Sequence, residues 1–319
     1  MLIYKTHSDN IEIIYAGKSH FINCKSNAHS PIFTPVLNKG GGLVAIPLND
    51  SVIIYSFDSK TSVNVPKKPI RNGNSCAVFG NDGNLYFNGG KSVYRYNPSN
   101  NLTDVLYTSG HTFHDPSNIA VSTDGRYVSF TKYKSDNEYV NIIDTVDGSC
   151  IDTKFSVFRH MWIDETHIVH TKSGGLKVYD AETKKNTVLF STVQKLIRCS
   201  HEKDKEILSN ISLLSRDDYF INFDLLAISD SDIYFSLNIF CHKNDDLSHY
   251  GVWRYDVSSE TVSFVFYIPQ EFRRGTFRHF MHESELLCSI GDTLRVCDGK
   301  EIKTYSGFFP VKPYISVNT

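Results

Sequence analysis

Three arginines, Arg159, Arg198 and Arg278, occupy one place in a recurring motif: FRHMWIDETHIV (158–169), FRHFMHESELLC (277–288) and a looser IRCSHEKDKEIL (197–208). A guanidinium is a planar fork that grips a carboxylate or phosphate through two parallel hydrogen bonds, so several of them converging would make an anion receptor. His160 and His279 follow two of these arginines and supply groups that change charge near neutral pH. More cationic side chains collect in the polar stretches between apolar runs: Lys67, Lys68 and Arg71, His114, and Arg273 with Arg274. Together these residues are the candidate partner-binding set. The competing role for each arginine is structural, bonding a carbonyl or an Asp of a neighbouring repeat, because buried charges are normally paired.

The motifs of known catalytic chemistry fail one by one. Gly17-Lys18-Ser19 and Gly90-Lys91-Ser92 imitate the end of a phosphate loop, but Glu12 and Leu85 stand where the upstream glycine belongs. Polar turns beside strands are the better reading. His111 and His114, His167 and His170, and His279 and His282 are spaced i, i+3, which brings side chains together on a helix and separates them on a strand. HExxH and Gly-x-Ser-x-Gly are both missing, so no metal, cofactor or nucleophile is predicted. The seven cysteines stand singly, without a CxxC pair, which points to free thiols in a reducing cytoplasm.

What must position these residues is a succession of short strands. Aromatics make up 13% of the 319 residues, with 18 Tyr and 21 Phe, a bias toward sheet. One hairpin recurs: an apolar strand ending in Tyr-Asp or an equivalent, a polar turn, and a second apolar strand. It appears at 93–107, 140–155, 176–190, 252–266 and 294–306, with weaker copies at 3–16 and 52–65. Between these lie further strand pairs around Asn81-Asp82-Gly83 and Thr123-Asp124-Gly125, both strong turn formers. The FRH motifs put the period at about 40 residues, the size of a four-stranded propeller blade.

In its strand, Asp-Gly turn, strand, Tyr-Asp pattern, as at Thr123-Asp124-Gly125 and Tyr179-Asp180, the chain resembles the WD-repeat and TolB-type β-propellers, although the Gly-His and Trp-Asp signatures are missing. The resemblance implies an all-β fold, one propeller domain over 1–319 built from four-stranded antiparallel blades. Seven blades are expected and eight are the alternative, since 194–250 divides into either one long-stranded blade or nearly two short ones. The ring should close by joining strands from the two chain ends. Val78, Ile119, Val121, Val128, Ile142, Trp162, Val178, Trp253 and Val296 are the expected core.

Charge sorts by loop type. Overall the chain is balanced, 33 Lys+Arg against 35 Asp+Glu, which excludes a polybasic tail. The between-blade connections, however, collect Lys18, Lys25, Lys195 and the candidate set, with His20 and His29 interspersed, whereas Asp58, Asp144, Asp180, Asp256 and Asp298 lie in the opposite turns. A basic ring at a concave face recruits anions. The reading is therefore a non-enzymatic interaction platform, an adaptor or an inhibitor of the immunity-protein type, that binds an acidic protein or peptide. The alternative is an enzyme on an anionic saccharide, a lyase or hydrolase resembling the metal-dependent oligogalacturonate lyases. Nucleic-acid binding comes third, because a basic face with aromatics is necessary for it without being sufficient. The opening MLIYKTHSDN places Lys5, His7 and Asp9 where a signal peptide needs apolar residues, and no run approaches the roughly 18 residues of a membrane helix, so a soluble, monomeric cytoplasmic protein with no membrane partner is expected.

Overall fold

The recurring hairpins fold because an Asp or Asn closes its own turn. Asp180, Asp256 and Asp298 each accept backbone N–H bonds from the residues two and three places on, at 2.8–3.2 Å. Asp144 and Asn97 accept one from two places on, at 2.9 and 2.8 Å. Hydrogen bonds to the ionised form hold Asp256 down to about 2, with the Ser258 hydroxyl the largest contributor. The last turn residue takes a left-handed conformation at Lys60, Asn101, Lys184 and Glu260, which reverses the chain into the next strand.

The computed structural model describes residues 3–6, 10–24, 34–71, 75–110, 115–134, 137–157, 159–172, 175–213, 216–229, 232–242, 248–269, 272, 278–282, 285–290, 293–306 and 309–310. In chain order the elements are β1 (Ile3–Thr6), β2 (Asn10–Tyr15), β3 (Lys18–Asn23), β4 (Val36–Leu37), β5 (Leu43–Pro47), β6 (Ser51–Ser56), β7 (Ser62–Pro66), β8 (Ala77–Phe79), β9 (Leu85–Gly89), β10 (Ser92–Asn97), β11 (Leu102–Thr108), β12 (Ser117–Val121), β13 (Tyr127–Lys134), β14 (Asn137–Asp144) and β15 (Cys150–Ser156). There follow β16 (Arg159–Trp162), β17 (His167–Lys172), β18 (Gly175–Asp180), β19 (Asn186–Phe190), α1 (Val193–Cys199), α2 (Glu202–Ser212), β20 (Tyr219–Ser229), β21 (Asp232–Cys241), β22 (His249–Asp256), β23 (Thr261–Tyr267), β24 (Arg278–His282), β25 (Glu285–Ile290), β26 (Thr293–Cys297), β27 (Ile302–Ser306) and β28 (Phe309–Pro310).

Among the described residues these strands form seven four-stranded sheets, six of them consecutive: β4–β7, β8–β11, β12–β15, β16–β19, β20–β23 and β24–β27. The remaining sheet has the order β28-β1-β2-β3, joining the two chain ends through Tyr4↔Phe309 and Ile3↔Pro310. Pro310, which has no N–H to donate, is tolerated because β28 is an edge strand. This closure also shifts one expectation. Residues 3–16 are the second and third strands of their sheet, and the counterpart of the recurring hairpin is β2–β3. Two compact units divide the chain, with β1–β15 and β28 in the first and β16–β25 with both helices in the second.

Burial falls from the inner strands to the outer ones. β9 is buried along its whole length, while β7, β11, β19 and β27 are mostly exposed. Both faces of the inner strands are covered, so their sequences read as continuous apolar runs; the outer strands keep only a partial pattern. Separate apolar clusters seal sheet to sheet: Ile13 and Ile22 against Val44 and Ile46, Val52 and Ile54 against Leu85 and Phe87, Tyr86 and Val93 against Val128 and Phe130. In the second unit Val169 and Leu176 pack with Phe235 and Trp253, and Val252 and Phe266 with Leu286 and Cys288. Six of the nine expected core residues are buried, and Val78, Val121 and Val178 are partly buried against these clusters. The outer strands β11, β15, β19 and β23 also share a register irregularity, a bulge that spoils an exposed edge as a template for pairing.

The stretch 194–250 serves one long-stranded blade rather than two short ones, but it does not consist of strands alone. It holds two helices and the first two strands of the sixth sheet. Thr192 caps α1, its side chain accepting from the Lys195 N–H, and Val193, Leu196, Leu208 and Ile211 anchor the helix pair in the cluster that joins the fifth and sixth sheets. The helices lie against the outer edge of β23: Ser200 bridges to Val262, and Asp204 accepts the Phe264 N–H at 3.2 Å. The IRCSHEKDKEIL segment is therefore helical, not a third copy of the strand motif. No described helix is long and apolar enough to cross a membrane.

Between the third and fourth sheets the inner turns meet closely. Asp82 is held by the Asn84 N–H and the Tyr86 hydroxyl, and a Cβ on Gly125, whose φ is +78°, would stand 2.9 Å from its carboxylate oxygen. Gly125→Ala is therefore expected to cost about 1–3 kcal/mol from strain and crowding together. Urea unfolding checks this; an unchanged midpoint would show that the two turns do not bear on each other.

Candidate functional site

At one end of the first unit, the connections between sheets run beside the turns that join second and third strands, as antiparallel alternation requires. The connection from β7 to β8 is laid down by its backbone. The Lys67 N–H donates to the Asp50 carbonyl at 2.9 Å, and the Ile70 N–H reaches the Asn49 side chain at 3.1 Å. The Arg71 N–H donates to the Asp115 carboxylate at 2.7 Å. Gly89 permits the crossing, since a Cβ there would lie 2.9 Å from Cβ of Lys67. The connection ends with its outward side chains, Lys68 and Arg71, exposed.

Lys67 turns the other way and is only 8% exposed. Its ammonium donates to the Ser75 hydroxyl and to the Asn88 carbonyl, the latter at 2.8 Å. Ser75 passes the chain on to the Leu48 carbonyl, while the Asn88 side chain accepts the Cys76 N–H and donates to the Pro116 carbonyl. One network thus ties three consecutive sheets. The Ser75 hydroxyl and the Asn88 carbonyl are both neutral, and burial pushes Lys67 down to about 8 despite the nearby Cys76, Asp50 and Asp115. Sequence reading places Lys67 among the receptor cations because a tie of this kind is visible only in three dimensions. The one available signal is Asn88-Gly89-Gly90, a polar and small run directly after an apolar strand.

In the second unit Arg159 begins β16, as its motif predicts, and its fork is engaged. Nη1 donates to the Leu225 carbonyl at 3.1 Å, and Nε lies 3.6 Å from the Asp224 carboxylate, so the side chain ties the fifth sheet to β20. Arg198 does not begin an inner strand. It stands in the last turn of α1, beside the outer strands, where a cation favours the helix C-terminus. The predicted convergence of three arginines is lost with it. Lys195 is on the same helix and bonds the Val188 carbonyl. Lys18 and His20 belong to β3 rather than to a between-sheet connection, and His20 meets Tyr55.

His160 is buried and pairs in register with His170, whose Nε2 meets the Asn186 side-chain oxygen at 3.1 Å. Burial pushes His170 down to about 4, which keeps it neutral at physiological pH. His167, three residues earlier on the same strand, instead meets Asp164 at 2.9 Å, so the i, i+3 spacing separates the rings. Arg278 and His279 open β24 opposite Ser289 and Cys288. His111, His114, Arg273, Arg274, Lys25 and His29 lie outside the described residues. Among the described residues no three His, Cys, Asp or Glu come together as a metal site. Gly17 and Gly90 sit in left-handed turns between strands, and the seven cysteines are free, with burial pushing Cys288 up to about 12.

No family model matches the sequence, and no curated protein matches it either. Solved structures do resemble it. A chain of the mitotic checkpoint complex superposes with a TM-score of 0.59 at 13% identity, over 96% of this chain and 83% of that one. The β-propeller domain of the trilobed protease from Pyrococcus furiosus gives 0.54 at 14%, over 87% and 83%. The chain is a seven-bladed β-propeller. Oligogalacturonate lyase from Vibrio parahaemolyticus also matches, at 0.57 and 6% identity over 95% and 83%, so the fold is shared by an enzyme as well as by a member of a protein assembly. The Pyrococcus propeller is described as having an open velcro topology, whereas here β28 pairs with β1.

Two outcomes follow from these ties. Because Lys67 is lowered in the folded state, the unfolded chain binds its proton more readily between pH 10.5 and 8. Stability should fall by up to about 3 kcal/mol as pH drops through that window and stay at the lowered level below it, with no further pH dependence from Lys67. Lys67→Met should flatten that slope in urea unfolding followed from pH 8 to 10.5; an equal slope in both proteins would contradict the assignment. Arg159→Ala should lower stability by about 1–3 kcal/mol through loss of a charged hydrogen bond, measured the same way at neutral pH.

Proposed function

We propose that this propeller is a non-enzymatic platform that holds an acidic protein or peptide against its between-blade connections. The observation that carries the reading is the state of the 67–71 connection. Lys68 and Arg71 are exposed, while Asp115, the acid of the next connection, is buried and accepts the Arg71 N–H. The cations therefore face solvent with that carboxylate turned inward, an arrangement suited to steering an acidic surface. By sequence, His114, Arg273, Arg274, Arg278 and His279 fall on connections of the same kind and stay candidates in this reading. Arg159, Arg198 and Lys67 drop out of it as direct contacts.

A propeller that takes part in a multiprotein assembly, as in the mitotic checkpoint complex, is the precedent for a scaffold of this kind. Buried polar groups such as Lys67 and His170 serve the scaffold, and the catalytic alternative gains no support from them. The seven free thiols accord with a reducing cytoplasm, where an adaptor or an inhibitor of immunity type would act as a single chain.

Affinity capture from lysate of the source cell, at low and high salt, tests the proposal. Lys68→Glu with Arg71→Glu is expected to weaken capture of an acidic partner by at least about tenfold, whereas Arg159→Ala should capture it normally if folded. Capture of the same proteins by wild type and the double variant would refute the basic-face reading.

A further inference from the structure

The sixth blade is built from the two longest strands of the molecule, β20 with 11 residues and β21 with 10. Tyr219, Ile221, Phe223 and Leu225 of β20 are buried in the cluster shared with the fifth blade. Alternation turns Phe220, Asn222 and Asp224 to the opposite face, where register pairs them with Phe240, Asn238 and Ser236 of β21. The result is a ladder of three rungs, about 7 Å apart: aromatic, amide, and carboxylate with hydroxyl. Tyr250 of β22 extends the aromatic rung, its ring edge-on to Phe240 at 5.1 Å, and Phe220 lies 6.4 Å from Phe240.

Three features distinguish this strip from ordinary sheet surface. Phe220 is 50% and Phe240 43% exposed, although the rest of these two strands is largely buried. Asn222 and Asn238 are half-buried, and among the described residues neither amide side chain has a hydrogen-bond partner. Ser236 is 1% exposed, and its hydroxyl, too, has no partner among the described residues. Burying polar groups without partners costs free energy, so the strip has donors and acceptors to spend on a ligand. Its charge is balanced within it, because Arg159 Nε lies 3.6 Å from Asp224.

We infer that this ladder is a binding site for a neutral oligosaccharide. Open aromatic plates stack on the C–H face of a sugar ring, while the amides and Asp224 meet hydroxyl groups, which both donate and accept. An anionic saccharide would meet no spare cation among the described residues of the strip, since the Arg159 fork is engaged by Asp224 and the Leu225 carbonyl. An apolar protein segment would cover the aromatic rung but leave the two amides buried without partners. The inference is separate from the platform reading: it uses another blade face and opposite charge logic.

Isothermal titration of the whole protein with cellohexaose, maltohexaose, mannohexaose, chitohexaose and hexagalacturonate tests it. At least one neutral hexasaccharide is expected to bind. Phe240→Ala, and separately Asn222→Ala with Asn238→Ala, should each weaken that binding by about tenfold or more. Phe240→Tyr should retain it, and so should Phe21→Ala, which removes an exposed aromatic from a different blade. Circular dichroism confirms folding, and if Phe240→Ala does not fold, the amide pair decides. The inference is overturned if no neutral hexasaccharide binds, if hexagalacturonate alone binds, or if folded ladder variants bind like wild type.

Discussion

A four-stranded sheet that is apolar on both faces has to be covered twice. That requirement governs this molecule more than any single bond does. Where sheets of one unit adjoin, inner strands such as β9 and β21 contribute large side chains to the clusters on either side. The hairpin turns contribute little burial, but they fix the register that keeps each alternating side chain on its proper face. A one-residue slip in β20 would bury Phe220 and expose Phe223.

The same requirement decides the fate of charged residues. A cation that begins an inner strand sits where sheet meets sheet, and Arg159 accordingly spends its fork on Leu225 and Asp224. Lys67, at the start of a connection, is drawn inward by Ser75 and Asn88, while its neighbour Lys68 stays in solvent. Adjacent residues of the same sign thus take opposite roles, and the difference lies in which side of a crossing each occupies.

Those roles mark the limit of what the sequence makes legible. The hairpins at 93–107, 140–155 and 252–266 were readable because Asx turns are local, and the closure was readable because the first strands begin partway through a blade. The α1–α2 insertion is not: IRCSHEKDKEIL repeats the polarity of the FRH strands, although its Glu- and Lys-rich part favours helix, and it docks against β23. Lys67 and Arg198 were misplaced for the related reason that burial and helix context come from residues distant in the chain. The ladder on β20 and β21 is not legible in the sequence, because Phe, Asn and Asp at alternate positions look like any half-buried strand until register aligns them with Phe240, Asn238 and Ser236.

Closure has a consequence for the order of events during synthesis. Sheets two to seven draw all their strands from contiguous stretches, so each can assemble as it is translated. The first cannot, because β1 pairs with residues 309 and 310. Until residues 309 and 310 are made β1 therefore presents an unpaired edge, the kind of surface that recruits stray strands from other chains. Its loop is also the longest in the protein, and chain-closing entropy makes it the slow step. The nascent chain is most vulnerable to aggregation there, and residues 309 and 310 relieve it.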